Sequence, residues 1–174
     1  PAVTDAYRAR NDITFDWVVE ENFVEVPAWH PAVEKVIPVA FRRWRRSIIK
    51  TYLGHEFRAF KHALQGVHYD LVIDAQGLIK SSIVSRLIKS KKRFGFDRKS
   101  IRESLATLLY TDKVYIDYEK NTIDRMVELL CFPFGIQVSR DDIINKRLFI
   151  HYSSEVSIPK NPYIVLVIGS TWEN

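Results

Sequence analysis

Four arginines lie within five positions of one short segment, residues 42–46. Guanidinium groups at this spacing repel one another, and bound anions relieve that repulsion. The planar fork of arginine also suits phosphate and carboxylate groups, which it binds through two parallel hydrogen bonds. We expect Trp44 to offer an apolar or cation–π surface between Arg42, Arg43, Arg45 and Arg46. The segment therefore predicts an anion-binding site, with a solvated basic helix end as the alternative.

A second segment with chemical potential is residues 74–81, DAQGLIKS, which follows a strongly apolar run. In open α/β sheets, ligands bind just beyond the carboxyl ends of the strands, where this segment falls. Asp74, Gln76 and Gly77 form the predicted turn, and glycine permits a tight turn or close approach to a ligand. Lys80 falls in the first turn of the next helix, where the dipole disfavours a cation unless an anion binds there too. The alternative is an ordinary strand–turn–helix with an exposed lysine.

The basic residues are concentrated rather than spread evenly. Residues 41–50 hold five Lys or Arg and no acid, and residues 80–102 hold nine against Asp97 alone, although the net charge is only +5. Such concentration indicates an anionic partner, which could be a phosphorylated ligand, a nucleic acid or a membrane surface.

The elements that must position these segments follow an alternating pattern of short apolar runs and helical periods. This pattern predicts one α/β domain over residues 1–174, Rossmann-like, with a mostly parallel sheet and helices on both faces. Residues 27–31 are predicted to be a non-helical connection. The predicted strands are 13–20, 36–40, 69–75, 93–96 and 164–168, and the predicted helices are 55–65, 78–88, 100–110 and 121–131.

Several classes of site are excluded by what the sequence lacks. The six glycines never stand at G-x-G spacing, and no P-loop motif occurs, so a dinucleotide cofactor is not expected. The histidines are scattered and the single Cys131 lies in an apolar run, so we expect a buried thiol and no metal site. A single cysteine cannot form an internal disulfide, so a reducing, cytoplasmic compartment is expected. No apolar stretch reaches the roughly 18 residues of a membrane span, so we expect a soluble protein.

Taken together, the motifs resemble the heptosyltransferase I family of glycosyltransferase family 9. The matching blocks are residues 15–21 (FDWVVEE), 27–40 (PAWHPAVEKVIPVA), 42–45 (RRWR), 74–81, 102–103 and 169–172. The resemblance implies the N-terminal, acceptor-binding half of a GT-B fold. It further implies inverting transfer of heptose from ADP-L-glycero-D-manno-heptose to a Kdo sugar of Kdo2–lipid A in lipopolysaccharide inner-core synthesis. Such an enzyme needs no cofactor and is peripheral on the cytoplasmic face of the inner membrane.

The resemblance also implies roles for individual residues. The expected acceptor-binding residues are Arg42, Arg43, Trp44, Arg45, Arg46, Lys80, Arg102 and Arg125, and Ser170 and Thr171 are expected near the donor phosphates. The family's general-base aspartate is expected upstream of Pro1 and its donor-binding domain beyond Asn174, so these residues alone are expected to be inactive. Asn121 stands where relatives carry a histidine, whose role cannot be transferred.

Two other functions remain open at this point. One is a nucleic-acid-binding domain that uses the same basic windows with Trp44 for stacking. The placement of the basic residues at turns, and of Phe15, Trp17 and Tyr69 at core-like positions, disfavours nucleic acid as a partner. The other is a related transferase that adds a later heptose, which the RRWR block disfavours. The oligomeric state is not indicated.

Overall fold

The computed structural model describes residues 1–145, which form short strands that alternate with helices. The predicted strand 164–168, Ser170 and Thr171 lie outside the described residues. Short 3-10 helices lie at Glu21–Phe23, Ser104–Leu109 and Phe132–Phe134. The strands are β1 Phe15–Glu20, β2 Val33–Val39, β3 His68–Asp74, β4 Lys89–Phe96 and β5 Asp112–Val114; the helices are α1 Ala2–Ala9, α2 Glu25–Ala28, α3 Phe41–Trp44, α4 Ile48–Leu53, α5 His55–Gln65, α6 Ile79–Leu87, α7 Thr122–Cys131 and α8 Arg140–Ile144.

Every strand pairing among the described residues is parallel, as predicted. β1 pairs with β2, and β3, β4 and β5 follow one another in a second sheet. The Tyr69 hydroxyl of β3 donates a 2.5 Å hydrogen bond to Asp16 of β1, which links the two sheets. Burial and this carboxylate raise the pKa of Tyr69 well above its ordinary value. Parallel strands joined through helices place all their carboxyl ends on one side of the domain.

The first core cluster joins the two sheets to the helices that cover them. Phe60 and Leu64, one helical turn apart on α5, are buried against Ile37 and Val39 of β2 and against Val84 of α6. The helix predicted at 55–65 is therefore confirmed, together with its buried face. This packing fixes the chain that follows β2 relative to the turn that follows β3.

Two smaller clusters complete the core on the side of β4 and β5. Phe94, Phe96 and Val114 pack with Leu129 of α7. Cys131, on the same helix, is buried against Ala6 of α1, so the prediction of a buried thiol is confirmed. Asn121 begins α7 by accepting a 2.8 Å hydrogen bond from the Ile123 amide, the role that asparagine often fills at a helix start.

Three local predictions were wrong. Residues 100–110 form only the 3-10 helix Ser104–Leu109 and no α-helix, because Ser100 is buried and bonds the Asp97 carboxylate, which holds the chain before it in a turn. The connection predicted at 27–31 begins inside a short helix, α2, which includes Pro27 because the first helical turn needs no partner for its amides. Trp17 lies on the side of β1 that is open to solvent rather than in the core.

The helices give no membrane span. Within residues 1–145 none is both long enough and apolar enough to cross a bilayer.

Candidate functional site

Two segments predicted to carry chemistry meet at the carboxyl ends of β2 and β3. The arginine segment, residues 41–46, begins immediately after β2, and the glycine turn, residues 74–81, begins at the last residue of β3. The Lys80 ammonium nitrogen lies 5.3 Å from the centre of the Phe41 ring, within cation–π range. The structure therefore brings Lys80 next to the arginine segment, and we call the two segments together with Arg102 the strand-end surface.

Asp74 organises the glycine turn from the inside. Its buried carboxylate accepts hydrogen bonds from the amides of Gln76 (3.0 Å) and Gly77 (3.2 Å) and from the hydroxyls of Ser81 (2.8 Å) and Tyr110 (2.7 Å). Burial and the neighbouring Asp74 raise the pKa of Tyr110, so the phenol remains a hydrogen-bond donor. Four donors on one buried carboxylate are typical of a structural acid that shapes the loop rather than of a free base.

Gly77 meets both conditions that require glycine at this turn, a left-handed backbone and the close approach of another side chain. Its φ is +66°, in the left-handed region, and a Cβ atom would lie 2.8 Å from Cγ1 of Ile101. The turn can therefore close only with glycine at this position.

Two amides at the start of α6 are already bonded within the protein, although we had predicted that they would be free. The Ile79 amide donates to Glu103 (2.7 Å) and the Leu78 amide donates to the Ser81 hydroxyl (3.1 Å). A carboxylate of the protein itself thus occupies the position that we expected an external anion to take. Lys80 remains exposed beside Phe41, and its charge still faces solvent.

The arginine segment divides into paired and unpaired cations. Arg43 donates to Glu21 (2.8 Å) and to Glu56 (2.7 Å), and these hydrogen bonds lower the pKa of both carboxyl groups and raise that of Arg43. Arg42 donates through its backbone amide to Glu20 and extends its guanidinium over the Phe23 ring at 5.8 Å. Both residues are exposed, but Arg43 already has two anionic partners.

Among the described residues, Arg45 and Arg46 have no acid beside them, unlike Arg43, and no aromatic ring beneath their guanidinium groups, unlike Arg42. Both are exposed, and neither side chain has an ion-pair partner within residues 1–145. Unpaired exposed guanidinium groups side by side raise the local positive potential, which is available to an incoming anion. They are therefore the cations of this segment that are best prepared to bind one.

Trp44 does not provide the exposed surface that we predicted. Its indole is buried and packs edge-to-face on Phe57 at 5.8 Å and on Phe60 at 5.3 Å between ring centres. Phe41 makes a similar contact at 6.3 Å. Burying so large an apolar ring stabilises the fold more than leaving it exposed for a ligand would. Trp44 therefore anchors α3 to the core, and the flanking arginines face outward.

Arg102 and Arg125 line a cavity of about 330 Å³ beside the glycine turn. The Arg125 guanidinium is held between the rings of Phe96 (4.8 Å) and Tyr118 (4.7 Å) and donates to the Ser100 carbonyl. Its Nε is buried and has no hydrogen-bond partner among the described residues. The cavity thus combines aromatic walls with the side chains of two arginines.

The basic window 80–102 does not form one surface. Lys80 and Arg102 belong to the strand-end surface, whereas Lys91 and Lys92 lie in the first half of β4, at the opposite end of the sheet. Arg93 is buried and donates to the carbonyls of Ser85 and Ile88, and burial lowers its pKa. The charge that faces the strand ends is therefore smaller than the sequence count indicates.

Sequence reasoning missed the acids that organise this surface. Glu21 and Glu56 form ion pairs with Arg43, and Glu103 accepts a hydrogen bond from the Ile79 amide. We had expected that cation and that amide to be free. Glu103 directly follows Arg102 in the chain, a signal that was available. The partners of Arg43 are 22 and 13 residues away, so only the folded chain brings them together. Among residues 1–145, no cluster of three or more His, Cys, Asp or Glu could hold a metal ion.

The fold and the site define a parallel α/β domain with a cationic surface at its strand ends. Residues 57–174 match the sequence profile described as "Glycosyltransferase family 9 (heptosyltransferase)". Since this match covers more than half of the chain, the protein belongs to glycosyltransferase family 9.

Individual relatives agree with this family. The chain is 43% identical to lipopolysaccharide heptosyltransferase 1 of Pseudomonas aeruginosa over 99% of its own length and 48% of that protein. It is 48% identical to the Escherichia coli K12 enzyme over 78% of its own length and 42% of that protein. The chain thus spans about half the length of these relatives.

A solved structure supports the predicted fold. The E. coli heptosyltransferase WaaC with ADP-2-deoxy-2-fluoro heptose superimposes with a TM-score of 0.76 and 45% identity, over 80% of this chain and 44% of that one. The same enzyme with ADP gives the same agreement. The predicted Rossmann-like class is confirmed.

Proposed function

We propose that the whole protein is an inverting heptosyltransferase of lipopolysaccharide inner-core synthesis. In this proposal the donor is ADP-L-glycero-D-manno-heptose and the acceptor is a Kdo sugar of Kdo2–lipid A. The names of the relatives and the ADP-sugar analogue bound to WaaC support the donor and the reaction class. Because the chain spans about half of those proteins, the activity is proposed for the whole protein and not for these residues alone.

The observation that carries the proposal for this half is the strand-end surface. Kdo carboxylates and lipid A phosphates are anions, and this surface presents exposed Arg45, Arg46, Lys80 and Arg102 that have no ion-pair partner in the described chain. A charge-assisted hydrogen bond from arginine to such a group contributes about 1.5–3 kcal/mol. The surface therefore suits an acceptor with several negative charges.

The other residues predicted to bind the acceptor contribute to its binding to different degrees. Arg42 is exposed beside the unpaired pair and adds to the same potential. Arg43 contacts the acceptor only after exchanging Glu21 and Glu56 for acceptor anions. Arg125 lines the cavity beside the glycine turn and adds positive charge to it. Asp74, Gln76 and Gly77 keep this surface in shape, and Ser170 and Thr171 remain proposed near the donor phosphates.

The chemistry itself requires a base for the acceptor hydroxyl. The hydroxyl oxygen attacks the anomeric carbon as the bond to ADP breaks on the opposite face, and ADP leaves with the bonding electrons. We assign no residue of this chain to that base; the aspartate implied by the family resemblance takes the proton in our proposal. The described residues bind and orient the acceptor, and no cofactor is proposed.

The cellular location follows from the acceptor. Because lipid A is anchored in a bilayer by its acyl chains, the enzyme must work at the membrane surface. We therefore propose a peripheral protein on the cytoplasmic face of the inner membrane.

A transfer assay with three acceptors tests the proposal. The whole protein is incubated with ADP-heptose and Kdo2–lipid A, lipid A without Kdo, or Kdo2–lipid A that already carries one heptose, and products are measured by mass spectrometry. We expect one added heptose on Kdo2–lipid A only. Transfer only to the heptosylated acceptor would favour the later-heptose enzyme. Absence of transfer together with tight, steeply salt-dependent binding of arbitrary oligonucleotides would favour the nucleic-acid alternative.

A further inference from the structure

Helix α4 presents an apolar stripe to solvent next to the arginine segment. Ile49, Tyr52 and Leu53 are 78%, 66% and 72% exposed. Their positions, i, i+3 and i+4, place them on one face of the helix. Three large apolar side chains exposed together on one helix face are typical of an interaction surface.

The cations around this stripe are unneutralised. Arg45 and Arg46 precede α4 and Lys50 lies within it, and all three are exposed without an ion-pair partner in the described residues. No acid occurs anywhere in residues 41–55. We call these three cations and the three apolar residues the α4 surface.

The opposite side of this segment is fixed to the domain. Trp44 is buried in the core, and the Thr51 hydroxyl donates to the Trp44 carbonyl at 3.4 Å. The Tyr52 ring packs on Phe57 at 4.9 Å between ring centres. The α4 surface is therefore held in one orientation by contacts that do not involve Ile49 or Leu53.

Another exposed apolar pair shows why the charges matter. Leu105 and Leu108 are 65% and 74% exposed in the 3-10 helix Ser104–Leu109, but the residues between and beside them are uncharged. Apolar exposure occurs in both places, and only at α4 does it coincide with a cluster of cations.

We propose that the α4 surface docks on an anionic lipid bilayer, with Ile49, Tyr52 and Leu53 in the interfacial layer. Arg45, Arg46 and Lys50 would then contact headgroup phosphates, as in other helices that combine an apolar face with flanking cations. A second copy of the chain fits this surface poorly, since it would bring like charges together. The inference rests on the proposed function for its biological meaning, because it places the bilayer beside the arginines that bind the lipid acceptor.

Vesicle binding by the whole protein tests the docking. Sedimentation is compared for vesicles of phosphatidylglycerol with phosphatidylethanolamine and for vesicles of phosphatidylcholine alone. We expect binding to the anionic vesicles to fall about fivefold or more in Ile49→Ser/Leu53→Ser, and to fall in Lys50→Glu. The matched control Leu105→Ser/Leu108→Ser removes the same apolar bulk elsewhere and should bind as the parent does. Melting temperatures confirm that each variant is folded.

The same variants separate this inference from the proposed function. Ile49→Ser/Leu53→Ser should transfer heptose normally to a soluble acceptor without acyl chains and poorly to acceptor embedded in vesicles. Unchanged vesicle binding by this variant, or absence of vesicle binding by the parent protein, would overturn the docking. If the parent transfers heptose to neither acceptor yet binds vesicles through Ile49 and Leu53, the proposed function fails and the docking stands.

Discussion

The glycine turn and the arginine segment follow strands of two different sheets, β3 and β2, and treat their polar groups in opposite ways. The turn satisfies its groups internally, since Asp74 accepts four hydrogen bonds and Glu103 occupies the start of α6. The arginine segment buries only Trp44 and leaves Arg45 and Arg46 unpaired in solvent. The rigid turn fixes the shape of the surface, and the cationic segment beside it supplies positive charge that attracts an anionic ligand. Substitutions in the turn should therefore reduce stability, and those in the arginine segment should reduce binding.

The largest stability effect is expected from Asp74→Ala. This change leaves two amides and the hydroxyls of Ser81 and Tyr110 without their shared acceptor in a buried position, and each such loss costs about 1–3 kcal/mol. We expect a loss of roughly 3–5 kcal/mol in the free energy of unfolding, measured by urea denaturation. Asp70→Asn, on the same strand but exposed, is the matched control. Equal, small effects of the two changes would show that Asp74 does not hold the turn.

A smaller effect is expected from Gly77→Ala, and the chain provides a control of the same backbone geometry. Gly77 and Gly135 both have φ of +66°, but a Cβ meets Ile101 at 2.8 Å in the first and nothing within 4 Å in the second. Gly135→Ala should cost about 1 kcal/mol through backbone strain alone, and Gly77→Ala about 2–4 kcal/mol. Similar unfolding free energies for the two variants would contradict the close approach to Ile101.

The smallest stability effect is expected from Arg43→Ala, which removes two exposed ion pairs. Its partners Glu21 and Glu56 have pKa values lowered below the ordinary 4.5, so the stabilisation is present above that value and is lost as pH falls through the lowered values. The variant should melt slightly below the parent at neutral pH, and the difference should vanish in acid. Thermal melts stepped from neutral pH to below 4.5 measure this. A difference that grows in acid would contradict the pairing.

The sequence predicted the secondary structure correctly where the spacing of apolar residues matched the buried positions, as at α5 and at β3. The apolar strand before the glycine turn, together with Gly77, was enough to predict where this turn lies. Glu21 and Glu56 were not predictable in this way as partners of Arg43, because they approach it only after β1, β2 and α5 have packed. Glu103, which directly follows Arg102 in the chain, was the one acid of the three that the sequence signalled. Trp44 was assigned to the surface because its charged neighbours dominate the local pattern, whereas burial of its ring against Phe57 and Phe60 decided its position.

The account depends most on the claim that the unpaired arginines bind the anions of the acceptor. The direct measurement is the affinity of the whole protein for Kdo2–lipid A in Arg45→Ala/Arg46→Ala, with Lys91→Ala/Lys92→Ala at the opposite end of the sheet as a control of equal charge change. We expect the arginine variant to bind at least about tenfold more weakly with a reduced dependence on salt, and the lysine variant to bind as the parent does. Equal weakening in both variants, or in neither, would contradict the claim.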